Sequence, residues 1–275
     1  MYNDRRNRLT EIFRDTQMYI QSSEVLKEAV YTSKQNTYFY NADDYPELKK
    51  DPVQEGKISL RNTRTFETAV SLSKEFPGAR ITALNFASAV RPGGGAETGA
   101  EAQEECLCRC STLFPLLKRD TLYRVYYDVN RKRNDFRYTD ALIYTPDVFI
   151  CKTDEDEPVR VPESEFVKCS VITCAAPKLR NVPAGTCSRE ELFNIHVKRA
   201  EHILHTAAHH DTDILILGAF GCGAFRNDPD VVAAAYHEAL RKYRGYFKQI
   251  VFAVFTREYE TANYQAFKKE FEEEL

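Results

Sequence analysis

No apolar run in the sequence approaches ~18 residues, which excludes a membrane-spanning helix. The opening residues, Met-Tyr-Asn-Asp-Arg-Arg-Asn-Arg, are polar and precede no apolar stretch of signal-peptide type. An excess of positive charge is missing as well. At a net charge of −3 and a pI near 6.1 there is no basic footprint for general or sequence-specific nucleic-acid binding, and a polyanion is expected to bind only in a local pocket. No repeat and no linker-like segment divides the 275 residues, which are enough for one large α/β domain. Eight cysteines without an export signal are expected as reduced thiols, which points to a cytoplasmic protein.

What is present is a normal globular balance, 43% hydrophobic and 29% charged. Leu9, Ile12, Phe13, Tyr19, Ile20, Val25, Leu26 and Val30 recur largely at three- or four-residue spacing, which predicts one or two amphipathic helices. Short strands are expected at Tyr38 to Tyr40 and Lys57 to Leu60. Asn62 is expected to cap a helix running to Phe76, stopped by Pro77-Gly78. Ile81 to Phe86 reads as a strand and Glu101 to Lys118 as one helix. Residues 119 to 165 are harder to read. Strands are placed there at Ala141 to Tyr144 and Val148 to Cys151, and the acidic stretch Asp154 to Glu157 is taken as a solvated loop. Strands at Phe166 to Cys174, Asp213 to Gly218 and Ile250 to Phe255 then alternate with helices at Arg189 to His209, Pro229 to Arg244 and Glu258 to Glu274. This alternation predicts an α/β protein with helices on both faces of the sheet. The expected division is an N-terminal helical extension, 1–56, and a core, 57–275.

Two glycine-rich loops stand out. The first carries Gly93, Gly94 and Gly95 between a strand and a helix, followed by Gln103, Glu104 and Glu105. Glycines there let the backbone take positive φ and approach a ligand closely. The second, Gly218-Ala-Phe-Gly-Cys-Gly-Ala-Phe-Arg-Asn-Asp-Pro229, follows the apolar strand Ile214-Leu-Ile-Leu217. Its backbone N–H groups, at the carboxyl end of a strand and before a helix, form a natural phosphate cradle. Neither loop is a triphosphatase loop, because Gly95 is followed by Ala96 and Glu97, and Gly221-Cys-Gly223 lacks the third glycine of the dinucleotide fingerprint. Cys222 reads as a small filler, with no base next to it in sequence. Arg226 and Asn227 are open between phosphate contact and capping of the next helix.

At this point the residues resemble a family. A strand ending Asn85-Phe-Ala-Ser88, the glycine triplet, and then Gln103-Glu104-Glu105 is similar to the signature of microbial-type poly(ADP-ribose) glycohydrolases, of the macrodomain superfamily. The loop from Gly218 resembles their diphosphate-binding loop, and Val171-Ile-Thr-Cys-Ala-Ala-Pro177 resembles the core strand before it. The resemblance implies a three-layer α/β/α macrodomain with a mostly parallel, mixed central sheet, and a substrate of ADP-ribose or poly(ADP-ribose) on modified proteins. It implies Glu105 as the catalytic acid and Glu104 as a carboxylate holding ribose hydroxyls, with Gln103 in support. Gly93, Gly94 and Gly95 would pack against a ribose and its phosphate. Gly221, Cys222, Gly223 and Ala224 would wrap the diphosphate between Gly218 and Phe220 on one side and Phe225, against the reactive ribose, on the other. Ser88 stands where other branches carry a ribose-contacting asparagine, and Asn85 is a second candidate for that contact. No cofactor and no metal are implied, and a monomer is expected.

The chemistry stands without the family name. Cleaving an O-glycosidic bond needs a proton on a poor leaving group as an oxocarbenium-like centre develops. A glutamate supplies it if burial raises its pKa toward the working pH. Adjacent Glu104 and Glu105 cannot readily flank a sugar, so no second acid is assigned as nucleophile. Competing readings are a hydrolase of single ADP-ribose units and a non-catalytic ADP-ribose-binding module. His202, His205, His209 and His210 are expected at a partly exposed helix end rather than around a metal. Cys106, Cys108 and Cys110 alternate in a helix, which mismatches chelating geometry.

Overall fold

The computed structural model describes residues 2–52, 56–257 and 261–275. Helices α1 (Tyr2–Ser22) and α2 (Glu24–Gln35) open the chain, separated at Ser23, whose hydroxyl accepts from the Leu26 N–H as the cap of α2. Strands β1 (Tyr38–Tyr40) and β2 (Lys57–Arg61) precede helix α3 (Thr65–Glu75) and strand β3 (Ile81–Phe86). After the first glycine loop come α4 (Gln103–Cys110), α5 (Leu113–Leu117), the short α6 (Asp120–Leu122), a π-helical turn (Tyr123–Tyr127) and α7 (Asp128–Arg133). Strands β4 (Leu142–Ile150) and β5 (Val167–Cys174), helix α8 (Arg189–His209), strand β6 (Ile214–Leu217), helix α9 (Pro229–Tyr243), strand β7 (Gln249–Ala253) and helix α10 (Ala262–Glu270) complete it.

The strands form one seven-stranded sheet in the order β1-β4-β5-β3-β6-β7-β2. From β5 to β2 every pairing is parallel, and β4 is antiparallel to both β1 and β5. Strand alternation divides the core into two layers. Ala83, Val171, Ile214, Ile216 and Val251 pack with residues of α1 to α5, while Leu84, Ile172, Leu215, Leu217, Ile250 and Phe252 pack with α8, α9 and α10. The result is the three-layer α/β/α arrangement read from the sequence. The first two helices lie against the α4–α5 layer, with the Phe13 and Phe114 rings edge to face at 4.8 Å, and β1 extends the sheet from β4. No described helix is long and apolar enough to cross a membrane.

Several local expectations are corrected by contacts far away in the chain. Asn62 does not cap α3. Its side chain accepts from the Thr256 N–H at 2.9 Å, and the helix begins after Arg64, with the Phe66 N–H satisfied by Asp154 at 2.9 Å. Asp154 is therefore no solvated loop residue but a buried carboxylate serving as a distant cap, its pKa raised by burial. Asp154→Ala is expected to cost about 1 kcal/mol and to lower the melting temperature by about 2–4 °C in a thermal melt; an unchanged melt would show that α3 holds without this cap.

The helix expected from Glu101 to Lys118 breaks at Ser111 and Thr112. Ser111 turns extended and bridges Ile150, and Thr112 exchanges two bonds with Phe149 of β4. The two strands expected around residues 141–151 are one strand with an irregularity between Thr145 and Val148, where Pro146 lacks an N–H and Asp147 takes φ 50°. Of the histidines expected at a partly exposed helix end, His209 and His210 are there, at the end of α8, but His202 and His205 are not. His202 is fully buried and His205 nearly so, and with His209 they bond the backbone carbonyls of Asp44, Pro46 and Glu47, clamping that segment to α8. The closing helix begins at Ala262, and the 258–260 part of the expected helix lies outside the described residues. All eight cysteines are free thiols.

Candidate active site

The carboxyl ends of β3, β6 and β7 open on a cleft of about 460 Å³. Its wall carries Ser88, Gln103, Glu104 and Glu105 from the first glycine loop and α4, and Phe220, Gly221, Gly223, Ala224 and Phe225 from the second loop. Two segments more than a hundred residues apart in the chain thus face one space. Asn85, Gly93, Gly94, Gly95, Gly218, Cys222, Arg226 and Asn227 are not on the wall; most of them shape the residues that are.

Both acids sit in the first turn of α4, where negative charge is favoured by the helix dipole. Glu104 is buried and held at both oxygens, by the Ser88 N–H at 2.7 Å and by the Asn85 side-chain amide at 3.3 Å. Asn85 is fully buried and also donates to Thr173, so it supports Glu104 from behind. Burial, and then the neighbouring Glu105 charge, push the Glu104 carboxyl up to about 8 against the pull of its N–H donors. Glu105 is anchored differently. Its Oε1 accepts from the Gly95 N–H at 2.8 Å, while its buried Oε2 has no protein partner. Gln103 ties the layers together, accepting from the Phe86 N–H and donating to Leu84 and Thr65.

Within the glycine triplet it is Gly94 that the acids require, whereas a Cβ at Gly93 would meet Phe114 at 2.6 Å and one at Gly95 would meet Ala100 at 2.8 Å. Gly94 has φ +56°, and a Cβ there would lie 2.3 Å from Glu105 Oε1 and 3.0 Å from Glu104 Oε2. In the second loop Gly221 has φ +79°, and a Cβ would meet Ala176 at 2.4 Å and the Asn227 amide at 2.6 Å. Asn227 is the loop's internal brace. It donates to Pro177 and Gly221 and is held by buried His196, so that Asp228 caps α9 instead. Arg226 is exposed at φ 61°, and Cys222 is half-buried with its thiol pushed up by burial. The N–H groups of Gly221, Gly223, Ala224 and Phe225 donate to no acceptor among the described residues, which leaves them available to an anion.

The raised Glu104 pKa has a consequence for stability. The folded chain keeps this proton to about 8, whereas an unfolded glutamate loses it near ~4.3. The group's stabilising contribution is complete below the unfolded value and is lost as pH rises through the folded one. Glu104→Gln is expected to show a smaller fall in urea stability than the wild type between about pH 5 and about pH 8.5. Parallel profiles would mean that Glu104 titrates normally.

The model of the family described as "Microbial-type PARG, catalytic domain" matches residues 8–153, more than half of the chain. The chain belongs to the microbial-type poly(ADP-ribose) glycohydrolases. This family hydrolyses ribose–ribose O-glycosidic bonds of poly(ADP-ribose). Among solved glycohydrolases, the enzyme of Deinococcus radiodurans in complex with ADP-ribose is 33% identical, with a TM-score of 0.77 over 89% of this chain and 97% of that one. The enzyme of Thermomonospora curvata is 27% identical, with a TM-score of 0.85 over 97% of this chain and all of the other. The same enzyme bound to the inhibitor ADP-HPD gives 28% and 0.84. A comparison with curated protein sequences yields no significant match.

Several wall residues of this glycohydrolase were missed by sequence reasoning, among them Arg5, Arg64, Asp156 and Phe255. Phe255 was read as the end of a strand, but β7 stops at Ala253, and Phe255 is 47% exposed on the cleft wall with the Arg64 guanidinium 4.5 Å from its ring centre. The signal that could have found it is its place at the carboxyl end of a parallel strand. Among the described residues no cluster of three His, Cys, Asp or Glu side chains is placed to hold a metal.

Proposed function

We propose that the protein removes ADP-ribose from the free ends of poly(ADP-ribose), with Glu105 as general acid and then general base. The observation that carries this reading is the asymmetric anchoring of Glu105, a residue of the cleft wall: one oxygen is fixed by Gly95, and the other is buried without a protein partner. Oε2 gives its proton to the glycosidic oxygen as the bond to the anomeric carbon breaks, and the upstream chain leaves with a hydroxyl. A water attacks that carbon, and its proton returns to Glu105. The diphosphate, held by the free N–H groups of the second loop, positions this water. Glu104 holds ribose hydroxyls and Phe255 offers a stacking face for adenine.

Terminal cleavage is supported by a wall on the Phe255 side of the cleft. There Arg5 of α1 pairs with Glu101 at 2.8 Å and reaches Asp156, to which Arg64 also pairs. The test is to incubate polymer-modified and mono-modified protein with the enzyme and identify the products by mass spectrometry. Free ADP-ribose from the polymer is expected. Release only from mono-modified protein, or tight binding with no release, would defeat the proposal.

A further inference from the structure

The net charge of −3 hides an uneven distribution. Residues 118–137 hold seven lysines and arginines against three acids, and residues 178–189 hold three cations and no acid. The fold joins these two segments. The Lys178 N–H donates to the Phe136 carbonyl at 2.7 Å, and each segment is tied to one lip of the cleft. On one lip, Arg131 donates to the Val90 carbonyl, two residues beyond Ser88. On the other, the Leu179 and Arg180 N–H groups donate to the Phe225 carbonyl at 2.9 and 3.0 Å. Strand order sets the direction. The 178–189 segment follows β5, and residues 118–137 lead into β4, whereas Phe255 and Arg64 follow β7 and β2 on the opposite side of β3 and β6. The basic rim therefore lies beyond the reactive end of the cleft.

Five of these ten cations are ion-paired, and other cations on the rim are free to bind. Arg91, Arg124, Lys132, Lys178, Arg180 and Arg226 are exposed and form no ion pair among the described residues, although most other basic side chains of this chain are paired. Apolar faces lie between them, with Tyr123, Val125 and Val129 each 39–46% exposed on the π turn and α7. Cations interleaved with aromatic and aliphatic surface suit a ligand that carries both phosphates and bases.

We propose that this rim is a second binding region, which holds the chain upstream of the scissile bond through the diphosphates of its next ADP-ribose units. The inference rests on the assignment of Glu105 as the cleaving acid, because that residue decides which side of the cleft the leaving chain occupies. A rim with unpaired cations captures a polyanion from solution and raises its local concentration, and salt screens the effect. A substrate without upstream phosphates gains nothing from it.

The test uses K132E, R180E and the double variant, exposed positions outside the cleft wall. Three probes are compared: long poly(ADP-ribose), an ADP-ribose glycoside of a neutral chromogenic alcohol, and single-stranded DNA. In the double variant kcat/KM on the polymer is expected to fall about tenfold at low salt, mainly through KM, and the difference to shrink as salt is added. Turnover of the glycoside and affinity for free ADP-ribose stay within about twofold of wild type. An unchanged polymer kcat/KM, or an equal loss on the glycoside, overturns the proposal. DNA that competes as well as polymer, and loses affinity equally in the variants, would make the rim a general nucleic-acid surface instead. A wild type that turns over neither substrate defeats the parent reading, and the rim's role with it.

Discussion

Glu105→Gln is expected to lower turnover at least ~100-fold while the affinity for ADP-ribose stays within about threefold of wild type. The amide keeps the size of the carboxyl, and its oxygen can still accept the Gly95 N–H that holds Oε1 at 2.8 Å. What it loses is the acid that the proposed mechanism requires, since an amide has no carboxyl proton to transfer. The loss thus falls on the transition state and not on binding, so kcat drops while KM and the dissociation constant of ADP-ribose hold. Steady-state kinetics on polymer and calorimetry with ADP-ribose measure the two quantities. Turnover near the wild-type level in Glu105→Gln would sink the assignment, and a matching loss of affinity would make Glu105 a binding residue.

Gly94→Ala should be nearly as damaging, although no side chain with chemistry is removed. An alanine at φ +56° carries a backbone strain of about 1–2 kcal/mol. Its methyl group would also lie 2.3 Å from Glu105 Oε1, closer than any real contact allows. The carboxylate must move, and a shift of about 1 Å at a reacting group costs on the order of 100-fold in kcat. Gly78→Ala separates the two effects, because Gly78 has φ +82° with nothing within 4 Å of its Cβ position. That variant should lose some stability and keep full turnover. If Gly94→Ala is as active as Gly78→Ala, the glycine triplet is not what sets the position of the acids.

Much of this protein is decided locally. The apolar periodicity of residues 3–31, the run Ile214-Leu-Ile-Leu217 and the helix opening at Pro229 each carry their own structural signal, because burial on one face or on two leaves a period in the sequence. The glycine triplet, the Gln-Glu-Glu element and the second glycine loop were legible in the same way, since positive φ and close approach are demands on single residues.

Other features depend on partners that no window of sequence contains. Asp154 looks like part of an acidic loop until the fold sets it 2.9 Å from the Phe66 N–H. Phe255 continues an apolar run, yet the strand ends two residues earlier and leaves the ring in the cleft. The overall charge shows no basic surface, and a basic rim arises only because two distant segments meet at Lys178 and Phe136. The sequence by itself determined the order and type of most elements, the two loops and the pair of acids, because these rest on the conformational limits of neighbouring residues. Tertiary structure alone decided which acid is doubly held and which keeps a free oxygen. Burial and hydrogen bonding of a carboxylate are set by atoms brought in from Asn85, Ser88 and Gly95, and only folding brings those atoms into place.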